Sequence, residues 1–181
     1  MHAHGGPEVL RYEDAPDPVP QPGEVLVRVR ACALNHLDVW ARLGQAGRPV
    51  PLPHILGNDV AGEIAALGVP VPGLRPGQRV MLSPGVSCGR CRMCLAGEDS
   101  SCREYRILGY QLPGGYAELV RCPAANVIPL PDGISFEDAA ALFFAGRLRS
   151  VVHAVLPLAE ARRAHEMMEA SEHFGKIVLR V

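Results

Sequence analysis

The chain has 181 residues, which on about 100–200 residues per domain makes a single domain with one good core and excludes a large two-domain enzyme. Lys and Arg number 18 against 19 Asp and Glu, so no excess positive field draws nucleic acid or an anionic membrane surface. Nineteen glycines and 17 prolines, about a fifth of the chain against about 12% in average usage, favour short strands and turns over a helical bundle.

No stretch approaches the roughly 20 apolar residues of a membrane span. Met1 leads into His2, His4, Gly5, Gly6 and Pro7 rather than a basic-then-apolar signal, so a cytoplasmic protein is expected. After a Pro-rich lead, Val25, Val27, Val29 and Ala31 alternate with Arg28 and Arg30, the period of a half-buried strand. Asn35 to Leu43 suits one or two helical turns. Further strands are expected at Val60 to Leu67, Gln78 to Leu82, Gly115 to Arg121 and Ala125 to Leu130, which makes the body mainly β. Phe136 to Phe144 is Ala-rich and helical, and Val151 to Leu158 is strand-like. Leu158, Ala161, His165 and Met168 recur at helical spacing, with His165 and Met168 read as packing residues. A last strand, Lys176 to Val181, follows Gly175, a helix stop.

Four of the six cysteines, Cys88, Cys91, Cys94 and Cys102, fall within fifteen residues as C-x2-C-x2-C-x7-C. They are too bunched for a disulfide framework, and four thiolates make a closed tetrahedral shell for zinc in a lobe with little core of its own. An iron–sulfur electron-transfer protein is the rival reading, since the ferredoxin run is C-x2-C-x2-C-x3-C-P. The seven-residue last gap, followed by Arg103, favours zinc. Cys32 and Cys122 read as small core hydrophobes. Arg90, Arg92, Arg103 and Arg106 are offset by Glu98, Asp99 and Glu104 and read as a solvated face.

With this cysteine spacing, GGPEVL, PGEVLVRVRACALNHLD, HILGNDVAGEIAALG, GLRPGQRVML, GGYAELV and ANVIPLPDGISFEDAAAL follow one another in an order that resembles the zinc-containing medium-chain alcohol dehydrogenase and quinone oxidoreductase family. The resemblance implies a GroES-like, partly open β-barrel over residues 1–145 with a zinc lobe at about 85–105. Residues 146–181 resemble the family's C-terminal tail, a strand–helix–strand that returns to the same domain. Between these segments family members carry a Rossmann domain whose glycine-rich turn holds the cofactor pyrophosphate. Here Ala145 runs into Gly146, and no G-x-G-x-x-G follows. The front is also short, which implies a lost edge strand.

In zinc-dependent members a second, catalytic zinc is held by a Cys at the start of one stretch and a His in a second. Here those stretches read Asn35-His36-Leu37-Asp38 and Gly57-Asn58-Asp59. Asn oxygen is a poor zinc ligand, so the resemblance is to the zinc-independent branch, with Asn35, His36, Asp38, Asn58 and Asp59 as vestigial cleft candidates. His36, Asp38, His54 and Asp59 offer an alternative set of metal ligands; the plainer expectation is that His36 and His54 line the emptied cleft or face water.

The expected function is therefore that of an NAD(P)-dependent oxidoreductase catalytic domain with one structural zinc. It is inactive alone because no nucleotide-binding domain is present to place a nicotinamide. The alternative is a non-enzymatic scaffold that forms homo-oligomers through exposed strand edges or the former interdomain face.

Overall fold

The computed structural model describes residues 1–47, 50–141 and 151–181. The join at Ala145 and Gly146 and the end of the helix expected to reach Phe144 lie outside them. Nine strands are described: β1 (Glu24–Ala33), β2 (Asp59–Leu67), β3 (Arg79–Leu82), β4 (Gly85–Val86), β5 (Arg106–Ile107), β6 (Leu119–Pro123), β7 (Val127–Pro129), β8 (Val152–Pro157) and β9 (Lys176–Arg180). Four α-helices accompany them: α1 (His36–Leu43), α2 (Arg92–Leu95), α3 (Phe136–Ala141) and α4 (Ala161–Glu169). No helix among the described residues is long and apolar enough to cross a membrane.

Seven strands form one open sheet in the order β7-β3-β2-β1-β9-β8, with β6 also pairing β1. The ten-residue β1 organises it. Along one edge it pairs with β2; along the other its first half pairs with β6 and its second half with β9, with Ala31 opposite Arg180 and Ala33 opposite Val178. The tail thus returns to the body as a sheet partner. β8 lies parallel to β9, and α4 connects them as a parallel pair requires.

Val25, Val27 and Val29 are buried in a cluster with Val60, Ile64, Val80, Leu82 and Val120, as the alternation predicts. Ala31 is not on that face. The β1–β2 register shifts between Val29 and Ala31, and the extra residue of a bulge reverses the parity beyond it. Cys32 then enters the barrel cluster, while Ala31 and Ala33 pack with Ala139, Ala140 and Val178. Both flanks of this end of β1 are covered, and Ala31, Cys32 and Ala33 are all buried.

A third cluster joins Leu34 and Val39 to Ala164, Met168, Ile177 and Leu179, clamping α1 and α4 over β9. His165 of α4 is buried as expected, but packing is not its only role. Its Nδ1 accepts a hydrogen bond of 3.2 Å from Nε of Arg42, a fully buried arginine that also donates to the Gly5 carbonyl and pairs with Glu169 at 2.7 Å.

Candidate functional site

β4 and β5, too short for the alternation rule to detect, pair as a two-stranded ladder at the base of the cysteine lobe. Cys91 is the N-cap of the single-turn α2, which brings Cys94 back towards it. The ligand atoms of Cys88, Cys91, Cys94 and Cys102 all lie within 4.8 Å of one another. Cys91 and Cys94 are 3.5 Å apart and Cys88 and Cys94 3.9 Å. A tetrahedral shell with a metal–sulfur bond of about 2.3 Å has edges of about 3.8 Å, whereas a disulfide needs about 2.0 Å. All four cysteines are free, and the set can hold a metal ion.

The electrostatics of the thiols agree. Backbone N–H groups of Arg90 and Cys91 hold the Cys88 thiol down at about 6, whereas desolvation first, and then the neighbouring Cys91 and Cys102 sulfurs, push Cys94 up to about 12. Four thiolates at this spacing do not ionise together without a cation between them. The four arginines of the lobe are exposed, and the Arg90–Glu104 pair, at 3.7 Å and largely solvated, contributes little.

A separate cleft of about 560 Å³ opens beside the lobe, with Leu37, Pro84 and Ile107 in its walls and Asn35, His36, Asn58, Asp59 and Lys176 as its polar lining. That volume suits a small organic molecule. Asn35 is the N-cap of α1, where Asp38 at the third helical position accepts from the Asn35 backbone N–H at 2.9 Å, one half of a capping box. The Asn35 side chain is turned to other partners: Nδ2 donates to Asn58 Oδ1 at 2.7 Å and Asp59 Oδ2 at 2.8 Å. Its Oδ1 accepts from Lys176 Nζ at 2.6 Å, and the same ammonium stands 3.2 Å from Asp59 Oδ2.

Lys176 is the residue that sequence reasoning missed. It was visible only as the first position of a tail strand; the pairing of β9 with β1 carries it to the cleft. Asn35, His36, Asn58 and Asp59 do line the cleft. Asp38 does not: it is 1% exposed, and its second oxygen accepts from the Gly57 N–H at 2.9 Å. It ties α1 to the 54–58 segment from behind. Burial pushes its carboxyl up to about 7, against the lowering effect of the two backbone donors.

His54 neither lines the cleft nor faces water. It is 3% exposed, its N–H and C=O exchange hydrogen bonds with Met1, and burial lowers its imidazole pKa. The set His36, Asp38, His54 and Asp59 is therefore not gathered, and among the described residues only the four cysteines converge as metal ligands. A catalytic zinc does not fit the cleft either. The two positions where zinc-dependent members have Cys and His hold amides, and the Lys176 ammonium is already bonded to Asn35 and Asp59; a divalent cation there would meet a charge of its own sign.

Residues 21–132 match the family model described as alcohol dehydrogenase GroES-like domain, and residues 119–179 match zinc-binding dehydrogenase. Among curated relatives, an alcohol dehydrogenase of Geobacillus stearothermophilus is 39% identical over 76% of this chain and 41% of its own length. An L-threonine 3-dehydrogenase of Rhizobium etli is 39% identical over 72% of this chain and 39% of its own. The chain thus spans about two fifths of the curated relatives it matches. A solved NAD-dependent alcohol dehydrogenase superposes with a TM-score of 0.95 at 29% identity, over 100% of this chain and 98% of that one. A thermostable alcohol dehydrogenase from Pyrobaculum aerophilum, solved with cobalt and zinc, shares the fold at a TM-score of 0.90 and 20% identity, over 99% of this chain and 98% of that one. The open sheet, the cysteine lobe and the returning tail are thus those of a catalytic domain, and the chain belongs to the zinc-containing medium-chain alcohol dehydrogenase family through its GroES-like domain.

Proposed function

We propose that this chain is the catalytic-domain portion of an NAD(P)-linked oxidoreductase acting on an alcohol, carbonyl or quinone, with one structural zinc held by Cys88, Cys91, Cys94 and Cys102. The observation that carries the reading is the cleft. Five of its lining residues, Asn35, His36, Leu37, Asn58 and Asp59, come from the two stretches that in the resembling zinc-dependent members carry the reacting centre. When bound, zinc in a four-thiolate shell is coordinatively closed and supplies local stability rather than chemistry. Four free thiols fit a reducing, cytoplasmic setting.

In the cleft, Asn35 and Asn58 orient donors and acceptors, Lys176 and Asp59 place a paired positive and negative charge, and Leu37, Pro84 and Ile107 offer apolar contact. The chain's residues do not fit a dinucleotide site. Nine positions separate Ala141 from Val151, against about 30 for one βαβ unit, so hydride transfer needs a nicotinamide site from outside residues 142–150.

Titration with NADH and NADPH, followed by nicotinamide fluorescence to millimolar concentration, tests this. No saturable binding is expected from the chain alone, together with one equivalent of zinc in a colourless protein. Saturable binding would overturn the expected inactivity, and a brown protein with iron would replace zinc by an iron–sulfur cluster.

One observation favours the scaffold reading as a second role. Among the described residues β8 is an end strand of the sheet, with Val151, Val155 and Phe174 exposed around it, and free edges pair with other chains. Light scattering at high concentration decides: a dimer supports homo-oligomerisation, and a clean monomer removes it.

A further inference from the structure

Lys176 is the one lysine of the chain, and it lines the cleft. Its side chain is 31% exposed and that of Asp59 10%, so of the paired charges that line the cleft the ammonium is the more open. An ammonium carries three donors. One is taken by Asn35 Oδ1 at 2.6 Å and a second by Asp59 Oδ2 at 3.2 Å, whereas the remaining contact, to the Leu34 carbonyl, is 3.5 Å long. That last distance is beyond a good N–H···O bond. The fixed geometry therefore leaves one donor weakly engaged beside the cleft.

We infer that Lys176 is the electrophile of this cleft: its ammonium donates to the carbonyl oxygen of a neutral aldehyde, ketone or quinone, the polarising task that a metal performs in zinc-dependent members. This rests on the reading of the cleft as a carbonyl site and adds the group that holds the oxygen.

Neutrality of the ligand follows from the charges. Lys176 and Asp59 offset one another, so a carboxylate drawn to Nζ would also meet Asp59 Oδ2 close by, while a carbonyl dipole takes the donor without that repulsion. Asn35 Nδ2 is committed to Asn58 and Asp59; of the other donors in the lining, His36 is solvent-exposed with its ring 6.0 Å from that of Trp40, whereas Lys176 is held at the cleft by Asn35 and Asp59. No proton is transferred in the binding step and no covalent bond forms. The oxygen accepts a hydrogen bond and its carbonyl carbon becomes more electron-poor.

The test needs no coenzyme. The probe is 4-(dimethylamino)cinnamaldehyde, whose absorption moves to the red when its carbonyl oxygen is polarised. Wild-type protein, with the cysteine lobe loaded and no second metal added, should bind the probe saturably and shift its band. Lys176→Met should abolish the shift and weaken binding about tenfold or more, the value of one charge-assisted hydrogen bond. Lys176→Arg should keep part of the shift. Lys176→Gln, which retains an amide donor against Asn35 and Asp59, serves if the Met variant loses the tail pairing, as judged by amide exchange at Ile177 to Leu179; it too should lose the shift. An unchanged shift in both Met and Gln variants overturns the role of Lys176 and leaves the carbonyl cleft standing. Absence of binding to the wild type overturns the carbonyl cleft itself. A shift that requires added zinc, or an aldehyde fixed to Lys176 by borohydride, also overturns the hydrogen-bonding role.

Discussion

Lys176 Nζ and Asp59 Oδ2 lie 3.2 Å apart across 117 positions of sequence, and this pair fastens the first residue of the tail strand to the first residue of β2. Asp59 Oδ2 also accepts from Asn35, so one carboxylate oxygen joins three segments. Asp59→Ala should take the counter-charge from Lys176 and one of two acceptors from Asn35 Nδ2, at a side chain only 10% exposed, and cost about 1–3 kcal/mol. Urea denaturation checks the figure, and faster amide exchange through β9 than through β2 would place the loss in the tail.

The Arg42–Glu169 pair is asymmetric, with the Arg42 side chain fully buried and that of Glu169 34% exposed. Removing the carboxylate leaves a buried guanidinium short of its counter-charge. Removing the guanidinium frees a carboxylate that water reaches. Glu169→Ala should therefore cost about 3 kcal/mol, far above the fraction of a kcal/mol usual for a partly exposed acid. A loss below 1 kcal/mol in thermal or chemical melts would show that the hydrogen bonds to Gly5 and His165 suffice to hold the charge.

Asp38 and His165 work against each other in their effect on stability with pH. Asp38 is raised from 3.8 to about 7, so the folded state holds its proton more tightly; its contribution is complete below about 4 and is lost as pH rises to about 7. His165 is lowered by burial, and then by Arg42, from 6.5 to about 3; its contribution is present above about 6.5 and lost as pH falls towards 3. Between about pH 4 and 6.5 the two slopes oppose. Asp38→Asn should make stability climb more steeply with pH across that window, and His165→Phe should make it decline. Denaturation midpoints at half-unit pH intervals measure both slopes, and parallel curves for wild type and variants would refute the assignment.

Metal removal from the cysteine lobe should act locally. The sheet has its own buried clusters, whereas α2 contains no buried residue, so the lobe depends on its ligands. Cys91→Ser or a strong chelator should reduce bound metal from one equivalent to near zero and raise amide exchange over residues 86–106, while β1 and β2 remain protected. Global unfolding on chelation would show instead that the metal supports the sheet.

Gly57 has φ +95°, and a Cβ there would run into the Tyr116 ring and the Cys32 sulfur. Both the left-handed backbone and the close approach exclude a side chain. Gly57→Ala should cost about 2–4 kcal/mol and displace Asn58, which shows as a changed cleft before any loss of the lobe.

Much of this architecture is legible along the chain because its signals are local. Val25, Val27 and Val29 alternate because a strand exposes alternate side chains to one core, and the run of cysteines from Cys88 to Cys102 is metal-like because chelate spacing is short in sequence. The reversal at Ala31 is not legible: a bulge is set by the pairing partner β2, not by β1 alone. His54 carries no signal that distinguishes a buried imidazole from an exposed one, since what covers it is Met1 and its surroundings. Arg42 lies in the last turn of α1, and only the approach of α4 and the Gly5 carbonyl makes it a buried hub.

The sequence by itself determined the class of fold, the thiol set, and the replacement of both expected soft or imidazole ligands by Asn35 and Asn58, since each is a matter of residue type at short spacing. Only the tertiary structure decided what stands in the cleft. Lys176 reaches Asn35 and Asp59 because β9 is hydrogen-bonded to β1 over Ala31 to Ala33, and a contact between residues more than a hundred positions apart is fixed by sheet register and burial, which no local pattern encodes.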